Sequence, residues 1–175
     1  MSPILKPERF QSKDTVRHAR ELIGKQLILK SSDADEQTCV ITETEAYDGP
    51  HDLACHASKG RTKRTEVMFG PAGCWYVYLI YGMHEMLNLV TGPPDYPAAV
   101  LIRGLEGVNG PGRLTKRLGI DRRFNASPAN EKTGLYLRGA SPIPDSQVDI
   151  TPRIGVDYAG PDWAQRPYRF VLKNQ

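Results

Sequence analysis

Cysteine is scarce in this chain. Cys39, Cys55 and Cys74 are the three among 175 residues, odd in number and without CxxC spacing, which argues against a disulfide framework and against a zinc ribbon. Long apolar runs are missing too: no segment approaches the ~20 residues of a membrane-spanning helix, and the start Met1-Ser2-Pro3-Ile4-Leu5-Lys6-Pro7 has no apolar signal core. A soluble cytoplasmic protein with reduced thiols is expected, nucleoid-associated if bacterial. Charge of one sign is not in large excess either. With 23 Lys+Arg against 20 Asp+Glu, a polyanionic partner is permitted but not demanded. There is no GxxxxGK[ST] loop, internal repeat, long linker or low-complexity tract, so neither a nucleoside-triphosphatase nor a repeat array is indicated.

What is present is an ordinary globular composition, 39% apolar and 25% charged, in a length that suits one domain spanning residues 1–175. The chain is organised around Ile41-Thr42-Glu43-Thr44-Glu45-Ala46-Tyr47-Asp48-Gly49-Pro50, where β-branched residues run into a turn. On a strand Glu43, Glu45 and Tyr47 point one way and Thr42, Thr44 and Ala46 the other. Two carboxylates on one face, about 7 Å apart at ~3.3 Å per residue, raise each other's proton affinity unless a cation relieves them. A perturbed carboxylate beside an aromatic ring suits general acid/base work, and the competing reading is a solvated edge strand whose acids discourage aggregation.

Before this stretch, Asp14 is placed to cap a helix carrying Val16, Ala19, Leu22 and Ile23 at helical spacing, with Gly24 to end it. Leu27-Ile28-Leu29 reads as a short strand, turned back through Ser31–Gln37 to pair antiparallel with a Cys39–Tyr47 strand. After it, His51, Cys55 and His56 match no closed zinc spacing, so no metal is expected. Lys59-Gly60-Arg61-Thr62-Lys63-Arg64 holds four cations and no acid, the makeup of a solvated loop or of a phosphate-contacting patch through Lys59, Arg61, Lys63 and Arg64.

Cys74–Met83 is the most aromatic stretch, with Trp75, Val77 and Leu79 on one face and Tyr76, Tyr78 and Ile80 on the other. Three phenols within six residues each need a partner, so at least one Tyr should face a cavity, while Tyr81, just before Gly82, should leave the sheet for solvent. Ala98–Leu105 is an apolar strand interrupted by Arg103, which needs a carboxylate; Glu43 or Glu45 is the candidate partner. Asn109–Gly119 reads as a short capped helix whose glycine-rich start and cations Arg113 and Lys116 suit phosphate. Three strand-like segments follow, Leu135–Leu137, Arg153–Val156 and Tyr168–Leu172. Strands alternate with loops and not with long helices, which predicts an α+β fold, one compact domain of mixed, mainly antiparallel sheet with peripheral helices.

TETEAY at 42–47, the AxH element ending at His56, YVYLIYGM at 76–83 with Asn88, VLIRGLE at 100–106, NGPGRLTKRLGI at 109–120 and RIGVDYAGPDWAQRPYRF at 153–170 together resemble the alkyladenine, or 3-methyladenine, DNA glycosylase family. The resemblance implies a monofunctional base-excision repair enzyme acting on alkylated and deaminated purines in damaged double-stranded DNA without cofactor, a task for which a monomer would suffice. It implies that Glu45 resembles the water-activating base, and that Arg103 and the backbone amide of Val156 resemble the groups that help hold the water. Tyr47, His56 and Tyr78 match residues enclosing the flipped base, and Asn88 a polar group at the pocket floor. Tyr81, with Met83 beside it, matches the side chains that enter the space vacated in the duplex. Two departures stand out: Arg113 replaces a Lys, and Glu85 stands where an uncharged or aromatic residue is expected.

Chemistry on a base within a duplex requires its extrusion, hence cations for phosphates, a wedge for the gap and an aromatic pocket. All three ingredients are present. A non-catalytic nucleic-acid-binding module explains the aromatics and cations but not the paired glutamates, which repel a polyanion. A carbohydrate hydrolase would use a carboxylate pair, but no sugar platform is evident. No lysine is singled out for Schiff-base chemistry, so no strand cleavage is expected.

Overall fold

The strand that carries the two glutamates is the longest in the protein and the hub of its sheet. The computed structural model describes residues 2–32 and 35–174. Within them β1 (Gln26–Ser32) and β2 (Asp35–Tyr47) form an antiparallel hairpin with Ser32 opposite Asp35. The ladder therefore extends well into the polar Ser31–Gln37 segment expected to be turn, leaving residues 33 and 34 outside the description. The far half of β2 switches partners, pairing with β5 (Ala98–Leu105) on one edge and β9 (Arg169–Leu172) on the other. It is not a solvated edge. β3 (Trp75–Ile80) and β4 (His84–Thr91) continue the sheet beyond β5, and β7 (Leu135–Arg138) extends it beyond β1. β6 (Val108–Asn109) pairs with β5 and β8 (Val148–Thr151) with β9. All pairs are antiparallel, joined into a single α+β domain by α1 (Thr15–Leu22), α2 (Pro111–Leu118) and α3 (Gly160–Ala164).

The helices form where their caps allow. Asp14 accepts the Arg17 amide at the start of α1, and Gly24 follows its end at φ 82°. α2 begins at Gly110 with no side-chain cap and ends at Gly119 in the left-handed region. Its buried Leu114 and Leu118 lie one turn apart.

Period-two alternation divides the sheet into two faces with different work. Trp75, Val77, Leu87, Leu89, Val100, Ile102, Thr44 and Ala46 are buried on one face, where α1 and α2 complete the main core. Tyr76, Tyr78, Met86, Asn88, Leu101 and Arg103 face the other side and line a cavity. One expectation needs correction, and two elements were missed. Arg153–Val156 is a bend and not a strand, because Gly155 turns at φ 74° and the Arg153 side chain is buried instead of alternating on a sheet face. The short β8 and α3 were not anticipated, since four residues between loops and a Gly-Pro start give weak periodic signals.

Candidate active site

One cavity of about 450 Å³ opens on the far side of the sheet, within the range of small-molecule pockets. Cross-strand register builds its floor: Tyr76 lies opposite Asn88, Asn88 opposite Leu101 and Leu101 opposite Glu45. Tyr78 and His56 form one wall, with ring centroids 4.7 Å apart at 64° and His56 Nδ1 3.2 Å from the Tyr76 hydroxyl. Tyr47 lines the cavity from β2, and Ile154, Val156 and Tyr158 line it from the bend after β8. Asn88 is buried and donates its amide to the carbonyls of Tyr76 and Met86, leaving its side-chain oxygen as an acceptor.

Glu45 lies beneath this floor with no exposed surface. The Ile154 N–H donates to Oε1 at 2.8 Å, the Tyr47 hydroxyl to Oε2 at 2.8 Å, and Arg103 Nε stands 3.5 Å from Oε1. Arg103 Nε also donates to Glu43 at 3.0 Å, and Arg169 Nε to the same Glu43 oxygen at 2.6 Å. Arg103 thus takes both glutamates offered as partners. A β-bulge aims it: pairing passes from Glu43↔Gly104 to Thr44↔Ile102, skipping Arg103. The neighbouring glycine is needed for the fit, since a Cβ on Gly104 would lie 3.0 Å from the Glu43 Cβ.

Electrostatics set the protonation states. Burial raises the proton affinity of Glu45 above the ordinary carboxylate value, opposed by Arg103, the Ile154 amide and the Tyr47 hydroxyl. Burial, then Arg64 and Lys59, lowers His56 to about 4, so the ring is neutral at physiological pH. Burial and the adjacent Glu45 push the Tyr47 phenol well up. Cys55 is an inert buried thiol raised to about 12 by burial. Among the described residues no set of three His, Cys, Asp or Glu side chains is grouped to hold a metal; His51 turns toward Asp48 and Cys55 toward the Pro97 carbonyl.

The remaining predicted positions are mostly on the surface. Tyr81 is 90% exposed with φ 50° and Met83 is 70% exposed, both in the turn joining β3 to β4. Lys59, Lys63, Arg113 and Lys116 are exposed. Arg64 lines the cavity with its guanidinium 4.9 Å from the Tyr78 ring centre. Arg61 is engaged differently: Glu66 and Asp95 each accept from it and Phe69 lies beneath it. Glu85 pairs with Arg122 and does not line the cavity. Val156 lines the cavity; the amide of Ile154, which the sequence did not single out, is bonded to Glu45. Arg153 and Asp52, a buried pair behind the bend, were also missed.

One antiparallel sheet thus carries a buried carboxylate under an aromatic-lined cavity and an exposed tyrosine in the β3–β4 turn, the site of a single-domain α+β protein. The family described as Methylpurine-DNA glycosylase (MPG) matches residues 9–109 and 106–175, and the chain belongs to that family. A Myxococcus xanthus protein is 48% identical over 177 residues, covering 96% of this chain and 90% of its own. A Legionella pneumophila (strain Paris) protein is 45% identical over 99% of this chain and 96% of its own length, and one from Methanocella arvoryzae is 43% identical over 98% and 94%. All three bear the name "Putative 3-methyladenine DNA glycosylase". Among the described residues no helix is long and apolar enough to cross a membrane.

Proposed function

We propose that this protein hydrolyses the N-glycosidic bond of alkylated and deaminated purines in duplex DNA, as the opening step of base-excision repair. The observation that carries the reading is the placement of Glu45 under the aromatic cavity, held by Arg103, Tyr47 and the Ile154 amide. Its ionised carboxylate accepts a proton from a water that attacks C1′ of the deoxyribose, and its charge stabilises the positive sugar that forms as the base departs. A carboxylate offers about four lone-pair directions; Ile154 and Arg103 address Oε1 and Tyr47 addresses Oε2, which leaves Oε2 a lone pair for the water, and because Glu45 is fully covered in the free protein, that water reaches it only when the cavity lining shifts as the nucleotide enters.

The flipped purine stacks on Tyr47 and Tyr78 beside neutral His56, gaining on the order of 1–3 kcal/mol per aromatic contact against the few kcal/mol of unstacking. The Asn88 oxygen accepts from its polar edge. Tyr81 and Met83 fill the gap in the stack, and the exposed Lys59, Lys63, Arg113 and Lys116 meet phosphates. Arg61 is left out of that set because two carboxylates already occupy it. Positively charged bases such as 3-methyladenine leave readily, while neutral hypoxanthine and ethenoadenine depend more on hydrogen bonding. A monomer suffices for this task. The test is release of free base from duplexes bearing each lesion, with borohydride added: base release without a trapped adduct is expected, and binding without release would favour a non-catalytic module.

A further inference from the structure

Behind the cavity wall lies an ion pair that touches none of the proposed reacting atoms. The side chains of Arg153 and Asp52 are both fully buried and pair two-pronged, with Nη2 to Oδ1 at 3.0 Å and Nη1 to Oδ2. Breaking such a pair leaves an uncompensated buried charge, so it is a rigid joint. Four segments meet at it. Arg153 Nη1 donates to the Ala46 carbonyl at 2.9 Å, next to Tyr47, and Nη2 to the Trp163 carbonyl of α3 at 3.3 Å. Its guanidinium centre lies 5.0 Å from the Tyr47 ring centre and 5.1 Å from that of Tyr168. Asp52 accepts the amides of Asp48 and Ala54, fixing the loop that leads to His56. The residue after Arg153 is Ile154, whose side chain is half exposed while its amide sits on Glu45.

We propose that the Arg153–Asp52 pair is the positioning device of the active site, holding the Ile154 amide on Glu45. It rests on the proposed role of Glu45. The groups facing that carboxylate are Glu43 and Tyr47 from β2, Arg103 from β5, Arg169 from β9, Tyr78 from β3, Tyr158 and the Arg153–Ile154 segment from the bend after β8. Only the last is moved by loosening the pair while every charge is kept. Arg153→Lys does this: the cation remains, but the two-pronged bond and the reach to Ala46 and Trp163 are lost.

Three readouts test the proposal, with wild-type base release run alongside. In Arg153→Lys, single-turnover excision should fall roughly 10²-fold, the loss expected of a small misplacement, while Kd for lesion duplex stays within about threefold. Its acid limb should move to higher pH, since losing an amide donor disfavours the carboxylate form. Asp52→Asn should show the same split between excision and binding. In the wild-type chain, the Ile154 amide should exchange with solvent as slowly as core amides despite its exposed side chain. The proposal is overturned if Arg153→Lys lowers only Tm, with rate and acid limb unchanged, or if the wild-type Ile154 amide exchanges at a loop rate. Absence of base release by the wild-type protein would instead sink the reading of Glu45.

Discussion

Tyr47 donates its hydroxyl to the carboxylate of Glu45, its neighbour two residues back on the same face of β2, at 2.8 Å. The same ring forms cavity lining, so the proposed stacking surface and the proposed base are mechanically one unit. Tyr47→Phe separates the two roles. The ring remains and lesion binding should stay near wild type, while excision should fall about tenfold for loss of a hydrogen bond to a charged group worth ~1.5–3 kcal/mol. Stopped-assay base release beside a binding titration checks this.

The pH dependence follows from opposite shifts at Glu45 and His56. Glu45 must be ionised to act, and its proton affinity is raised by burial, so kcat/KM should decline on the acid side above the ordinary carboxylate value of 4.5. His56, lowered to about 4, should add no inflection near its ordinary 6.5. For stability the signs differ. The folded state disfavours the Glu45 anion, so that contribution is full below 4.5 and lost as pH rises through the raised value. The His56 contribution is full above 6.5 and lost as pH falls toward 4. Glu45→Gln should therefore gain Tm relative to wild type as pH rises toward neutrality, and a calorimetric pH series reads the difference.

Gly104 is required by the bulge that aims Arg103. Gly104→Ala brings a methyl to 3.0 Å from the Glu43 Cβ and 3.1 Å from the Thr42 Oγ1, and both side chains are buried in β2 with little room to give. Overpacking of this kind typically costs 1–3 kcal/mol, taken as a rough guide. Excision should fall further than stability alone explains, because the displaced groups are Glu43 and Arg103. Urea unfolding with single-turnover rates on the same preparation separates the two effects.

Exposed cations outside the cavity should act on DNA without regard to lesion. Lys63→Ala or Arg113→Ala should weaken binding to damaged and undamaged duplex alike and lower the salt slope by about 1 each. Arg61→Ala should leave the slope unchanged, because Glu66 and Asp95 already occupy its guanidinium. Affinity titrations across a salt series give the slopes.

Much of this arrangement was legible because alternation on strands is strict. The shared face of Glu43, Glu45 and Tyr47, the cavity-facing tyrosines of β3 and the exposed Tyr81 all follow from counting by two and from one glycine. The need of Arg103 for a carboxylate was also readable, but its bulge was not, since a bulge is a property of the pairing of two strands. Arg153 was hidden for a related reason. An arginine beside a proline reads as surface, and only the loop from β2 brings Asp52 to it. The strand-like composition of Arg153–Val156 misled because Gly155 and the buried guanidinium turn the chain. Glu85 gave no signal that Arg122, 37 residues on, would take it. Short-range pattern carried the sheet faces; long-range pairing decided which charges meet.

The most direct test of the central claim is single-turnover release of free base from a duplex carrying hypoxanthine or 3-methyladenine, comparing wild type with Glu45→Gln at matched occupancy. The account predicts that the variant binds the lesion duplex about as tightly as wild type while excision falls by 10²–10⁴, the usual scale for losing a general base, as an order of magnitude. Excision by the variant at near wild-type rate would contradict it.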